Sequence, residues 1–226
     1  MIRQLAFDLP VAETFRREDF FISPANAPAL AAIDGWQAWP SAKMLVVGPR
    51  GSGKTHLAHI WAQQTGAALV RGAALADADI PSLTAAGPVA VEDAETVAGN
   101  RAAEAAFFHL HNIVTQGAAL LVTATRPPRD WGLTLPDLAS RLMAAPLTRL
   151  DAPDDALLSA VLVKLFSDRQ IVVPPNLIPY MVLRMERSLA AARQLVAALD
   201  AVALAQGRPV TRQLAADLIG RDVAYP

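Results

Sequence analysis

The sequence predicts an α/β protein built on a parallel sheet, followed by a smaller all-helical part. Three observations carry that expectation. Short, nearly all-apolar runs recur at residues 43–48, 68–71, 89–93 and 118–125, as strands buried on both faces require. Helical patterns lie between them, notably over residues 54–65 and 101–115, and this alternation is that of βαβ units. After Leu150 only helical patterns remain.

Each element follows from local sequence. Residues 1–22 read as a tail and leading segment. KMLVVG at 43–48 is the first buried strand, and the helix after it opens at Lys54. DAPDD at 151–155 is a helix start, with acids where the helix dipole favours them. Ser188 is the expected N-cap of a long helix that Gly207 stops, with Leu195, Leu199 and Val202 as its apolar stripe. Trp36 and Trp39, near Pro40, are expected to pack against the first domain. The boundary is placed near Leu150, dividing the chain into residues 1–22, 23–150 and 151–226.

Composition narrows the function. The 226 residues suffice for a sizeable core. The apolar fraction of 53% is inflated by alanine, and no run approaches the roughly 20 apolar residues of a membrane span. No basic region followed by an apolar stretch suggests a signal peptide. The absence of cysteine excludes disulfide and thiol chemistry and suits a cytoplasmic protein. A net charge of −1 argues against a broad nonspecific grip on nucleic acid.

The strongest motif is GPRGSGKT at 48–55, a full GxxxxGK[ST] match placed directly after a strand and at the start of a helix. Gly48, Gly51, Ser52 and Gly53 let backbone N–H groups turn inward around phosphate oxygens. Lys54 reaches the β- and γ-phosphates, and Thr55 offers its hydroxyl to Mg²⁺. An acidic strand end should complete such a site. VAVEDAE at 89–95 supplies Glu92 and Asp93, with Glu92 as the candidate Mg²⁺ ligand beside Thr55. The alternative reading of these acids is a solvated strand end. His56 and His59 face one side of the following helix, with no third ligand for a metal.

GKTHL at 53–57, RPP at 126–128 and LPDLASRL at 135–142 go beyond a generic phosphate loop. Together they resemble the DnaA-type initiator ATPases of the AAA+ class, and within it the Hda group of DnaA-related regulatory inactivators. The resemblance covers essentially the whole chain. It implies an AAA+ αβα domain with a parallel sheet, then a small all-α lid, with ADP or ATP and Mg²⁺ bound. FFISPAN at 20–26 resembles the segment beside the adenine, which places Phe21 and Ile22 there, with His56 on the nucleotide side of the loop helix. AALLVTATRPP at 118–128 resembles the sensor I strand, with Thr125 where close relatives carry an acid. Arg141 matches the arginine finger, supplied in trans to a neighbour's nucleotide, and Arg193 matches the sensor II arginine.

The opening peptide, QLAFDL at 4–9, then gains a role. Read alone, it is an arm that packs Leu5 and Phe7 on its own domain. The resemblance makes Gln4, Leu5, Phe7 and Leu9 a peptide for the DNA polymerase III sliding clamp (β subunit), held by a few buried anchors. The implied partners are the clamp and the DnaA initiator. DNA is met indirectly through the clamp, with no membrane contact and with homo-oligomers possible. The chain ends at Pro226, before a DNA-reading domain such as a full initiator carries. The rival reading is a self-oligomerising AAA+ ATPase of helicase-loader or DNA-remodelling type.

Overall fold

The structure, a computed structural model, describes residues 15–114 and 118–220. In chain order it contains α1 (Ala27–Asp34), β1 (Lys43–Val47), α2 (Lys54–Thr65), β2 (Ala68–Arg71), α3 (Ile80–Ala85), β3 (Val89–Glu92), α4 (Arg101–Val114), β4 (Leu120–Ala124), α5 (Pro136–Ala144) and β5 (Leu147–Arg149). Four helices follow: α6 (Asp155–Asp168), α7 (Leu177–Val182), α8 (Leu189–Gln206) and α9 (Arg212–Gly220). The strands form one sheet in the order β2-β3-β4-β1-β5, all pairings parallel.

Strand alternation builds two cores. Leu45, Val89, Val91, Leu120 and Val122 point to the face covered by α4 and α5, meeting Phe107, Leu110, Leu138 and Leu142. Met44, Val46, Ala90 and Leu121 point to the other face, meeting Leu30 and Ile33 of α1 and Leu57, Ile60 and Trp61 of α2. The side-chain period of two explains why adjacent residues divide between the cores. Trp39 stacks on Trp61 at 5.3 Å, so this tryptophan packs inside rather than offering a platform.

The helical part has its own core of Leu158, Leu162, Phe166, Met181, Val196 and Leu199. Asp154 Oδ1 caps α6 by accepting from the Leu157 N–H at 2.8 Å. Ser188 caps α8 as expected, accepting from the Ala191 N–H at 3.2 Å, and Gly207 ends it.

Several expectations change. The run at 68–71 is not buried on both faces, because β2 is an edge strand and alternates between half-buried and exposed positions. The third strand stops at Glu92, because Asp93 turns into the left-handed region (φ 48°, ψ 46°). The edge strand β5 went unforeseen: its three residues, Leu-Thr-Arg, have no apolar run. Among the described residues, Leu189–Gln206 is long and apolar enough by composition to cross a membrane. It packs Leu189, Ala192, Val196 and Leu199 into the helical core.

Candidate nucleotide site

Sheet order assembles the site. β3, β4 and β1 are neighbours and parallel, so their C-terminal ends lie side by side. Glu92 ends β3, Thr125 follows β4, and the phosphate loop follows β1. The Gly48 N–H donates to the Ala124 carbonyl at 3.1 Å, which holds the loop's first residue beside Thr125. Ligands of open α/β sheets bind at such C-terminal ends.

The loop has little room for side chains. A Cβ on Gly48 would lie 2.1 Å from the Leu150 carbonyl oxygen. Gly51 has φ +70°, and a Cβ there would lie 1.9 Å from Ser188 Oγ, on the far side of the helical boundary. The Leu189 N–H donates to the Gly51 carbonyl at 2.8 Å, so the loop tip is bonded directly to the start of α8. Gly53 precedes α2 without a side-chain cap, leaving the first N–H groups of that helix for an anion. Lys54 is buried and donates to the Gly48 and Pro49 carbonyls at 2.8 and 2.9 Å. Burial lowers its pKa, while Glu95 first and Asp93 second act to raise it. Thr55 is exposed on the first turn of α2. Ser52 is buried, and its Oγ has no hydrogen-bond partner.

The acidic side departs from the simple picture of a paired strand end. Asp93 is exposed, and its N–H donates to Thr123 Oγ1 at 3.3 Å. The turn it starts, Ala94–Val97, brings Glu95 back over the sheet. Glu95 Oε1 accepts from the Thr125 N–H at 2.8 Å and from its hydroxyl at 2.5 Å. Thr125 therefore commits its only hydroxyl proton to a carboxylate. Glu92 Oε1 and Glu95 Oε2 are buried without a hydrogen-bond partner. Sequence reasoning passed over Glu95. The available signal was an acid three residues past the strand end, the reach of one tight turn.

A cavity of about 360 Å³ lies between the leading segment, α2, α6 and α8. Phe20, Phe21, His56, Leu157 and Arg193 line it, so the structure brings Phe21, His56 and Arg193 together. Ile22 is 65% exposed and is not among the lining residues. His56 donates from Nε2 to the Arg16 carbonyl at 2.8 Å, which fixes its tautomer, and it packs edge-on to Phe20. Burial lowers its pKa, with Arg193 adding to the effect. The segment from Phe15 bridges both parts of the chain. Phe20 joins the α/β core, Phe21 packs on the helical core, and Asp19 pairs with Lys164 at 3.1 Å.

Arg141 lies elsewhere. Its guanidinium sits 5.2 Å over the Phe108 ring, and its charge acts on Lys43 and His111. Lys43 starts β1 and the phosphate loop follows its end, roughly 17 Å away along the strand at about 3.3 Å per residue. Arg141 thus stands at the opposite end of the sheet from its own chain's loop. Burial and these two cations push the His111 pKa down to about 4, and His111 Nδ1 lies 3.3 Å from Lys43 Nζ. The α5 helix is held by Glu104, a fully buried carboxylate that the sequence reading also passed over. It accepts from the N–H groups of Gly99, Thr134 and Leu135 and from the Thr134 hydroxyl. Gln4, Leu5, Phe7 and Leu9 lie outside the described residues.

The chain superposes on domain III of the replication initiation protein DnaA from Thermotoga maritima with a TM-score of 0.78, at 16% identity, covering 94% of this chain and 98% of that one. The fold is that of DnaA domain III. AMPPCP-bound DnaA from Aquifex aeolicus matches with a TM-score of 0.66 at 15% identity, over 81% of this chain and 64% of that one. A form of RuvB from Thermotoga maritima matches at 0.64 and 19%, over 87% and 66%. At these identities the likeness is one of fold. No protein-family model matches the chain.

The residues present fit a nucleotide with its cation. The uncapped helix start, Lys54 and the crowded glycines suit phosphates. The exposed Thr55 and the two orphaned carboxylate oxygens suit Mg²⁺. Among the described residues no three His, Cys, Asp or Glu side chains group as a metal site. A cation here would complete its shell with phosphate oxygens and water, the usual habit of Mg²⁺.

Proposed function

We propose that this protein is an Hda-like regulator of replication initiation. It binds an adenine nucleotide with Mg²⁺ and docks on the sliding clamp through Gln4, Leu5, Phe7 and Leu9. It then applies Arg141 to ATP held by the DnaA initiator, converting that protein to its inactive, ADP-bound form. The observation that carries the reading is spatial. On a DnaA-like fold, the phosphate loop lies at one end of β1 and Arg141 at the other. An arginine so placed serves a neighbouring molecule's nucleotide, not its own. Its charge would stabilise the γ-phosphoryl group as negative charge develops during transfer.

The chain's own nucleotide then has a structural task. It would lie between the sheet and α8, with Lys54 and Thr55 at its phosphates and Phe21, His56 and Arg193 at its other end. Occupancy fixes how the helical part sits on the sheet. ADP is expected to support the active arrangement. The setting is cytoplasmic, and DNA is reached through the clamp.

The test measures hydrolysis of DnaA-bound ATP with the clamp loaded on DNA. The intact protein should accelerate it, and Arg141→Ala should remove roughly 10³-fold or more of that acceleration. The Gln4→Ala, Leu5→Ala double variant should lose clamp binding while keeping nucleotide binding. Acceleration that survives Arg141→Ala overturns the finger assignment.

A second reading, a self-assembling ATPase, draws on the fold likeness to RuvB. It requires brisk turnover by the protein alone, increasing with its concentration. Slow turnover that is independent of concentration rejects it.

A further inference from the structure

We infer that Glu95, not Asp93, is the second carboxylate that holds the divalent cation of the bound nucleotide, working beside Glu92. The inference rests on the nucleotide reading above and assigns a residue within that site.

Four observations carry it. First, Glu95 reaches from the turn after β3 to the C-terminal end of β4, the strand next to the one that leads into the phosphate loop. It is bonded to Thr125, and it is the strongest negative charge acting on the Lys54 ammonium. Second, its geometry commits one oxygen and leaves the other. Oε1 takes both Thr125 donors, which fixes the carboxylate's plane, while Oε2 is buried without a hydrogen-bond partner. A buried anionic oxygen is costly unless a donor or cation meets it. Third, Glu92 Oε1 is in the same condition at the end of the adjacent strand. Fourth, Asp93 is exposed and starts the turn that delivers Glu95.

Charge balance points the same way. Lys54 now gives two of its three protons to the Gly48 and Pro49 carbonyls. When Lys54 turns to a phosphate, its charge is shared with the incoming anion. Glu92 and Glu95 then face a polyphosphate with less positive charge near them. A divalent cation bridging carboxylate and phosphate oxygens offsets both. A hydroxyl at position 125 could not do this by itself, but the carboxylate it fixes can. Thr125 is therefore a positioning residue here and Glu95 the ligand.

The experiment titrates a fluorescent ADP analogue into the full chain in Mg²⁺ and in EDTA. It also follows Mn²⁺ by electron paramagnetic resonance in the presence of ADP. Mg²⁺ should tighten binding to the intact protein. Glu95→Gln should cut that tightening by about tenfold or more, the scale seen when metal-site support is removed. It should also release Mn²⁺ that the intact protein immobilises. Affinity in EDTA should not fall, because without a cation Glu95 only repels the polyphosphate. Glu95→Asp keeps the charge but shortens the side chain, and should fall between the two, which separates cation binding from loss of fold. The loss at Glu95→Gln should exceed that at Asp93→Asn.

Undiminished Mg²⁺ dependence and Mn²⁺ immobilisation in Glu95→Gln would overturn the inference. So would an equal loss of ADP affinity in Mg²⁺ and in EDTA, because Glu95 would then support the fold or the nucleotide and not the cation. Failure of the intact protein to bind ADP in either buffer would sink the nucleotide reading itself, which is a distinct outcome.

Discussion

At the residue scale, two side-chain environments set measurable consequences. Gly51 combines φ +70° with contact to Ser188, so Gly51→Ala must strain the backbone and displace the start of α8. It should cost about 1–3 kcal/mol from the backbone alone, read as a lower urea midpoint, and should also weaken nucleotide binding. His111 is held neutral between Lys43 and Arg141, with a folded pKa of about 4 against an ordinary 6.5. The unfolded chain therefore binds the extra proton first. Stability is full above about pH 6.5 and falls as pH drops toward 4, by at most about 3 kcal/mol. Urea unfolding at pH 7 and pH 5 should show the loss. His111→Gln should flatten that part of the profile while lowering stability at pH 7, since Lys43 loses its neutral nitrogen partner.

At the element scale, Glu104 decides how α5 sits. Burial would raise its pKa, but the donors from Gly99, Thr134 and Leu135 outweigh this and hold it low. Glu104→Gln puts an NH₂ group among donors. It should cost about 3 kcal/mol, measured by denaturation, and loosen the helix that presents Arg141. The Ser188 cap works on two elements, since it ends the approach to α8 and touches the phosphate loop. Ser188→Ala should lower stability by about 1 kcal/mol, in thermal or urea melts. Element prediction succeeded where the pattern was long or capped, as for α2, α4 and α8. It failed for β5, where three residues gained strand geometry only from pairing with Leu45, Val46 and Val47.

At the scale of the whole molecule, the leading segment, the loop helix and α8 meet around one cavity. Phe15, the first described residue, is part of its wall. The contact of Asp19 with Lys164 ties the segment to α6. Asp19→Ala leaves a partly exposed pair broken and should cost under about 1 kcal/mol in stability, a small shift in melting temperature. A larger drop in ADP affinity than in stability would show that the segment's placement matters more to the site than to the fold.

By itself, the sequence determined the α/β order, the turn at 48–53 between the first strand and α2, and the caps of the long helix α8. These are local: each follows from apolar period, turn chemistry or a motif within a dozen residues. The placement of Phe21, His56 and Arg193 around one cavity was also legible, through resemblance to a known family. Only the tertiary structure decided that Asp93 turns outward and Glu95 inward, that Glu104 anchors α5, and that Lys43, His111 and Arg141 share one end of the sheet. These pairings join residues about 30 or more apart, or depend on a single left-handed residue. Composition and periodicity report which face a side chain occupies, but not which distant partner shares that face.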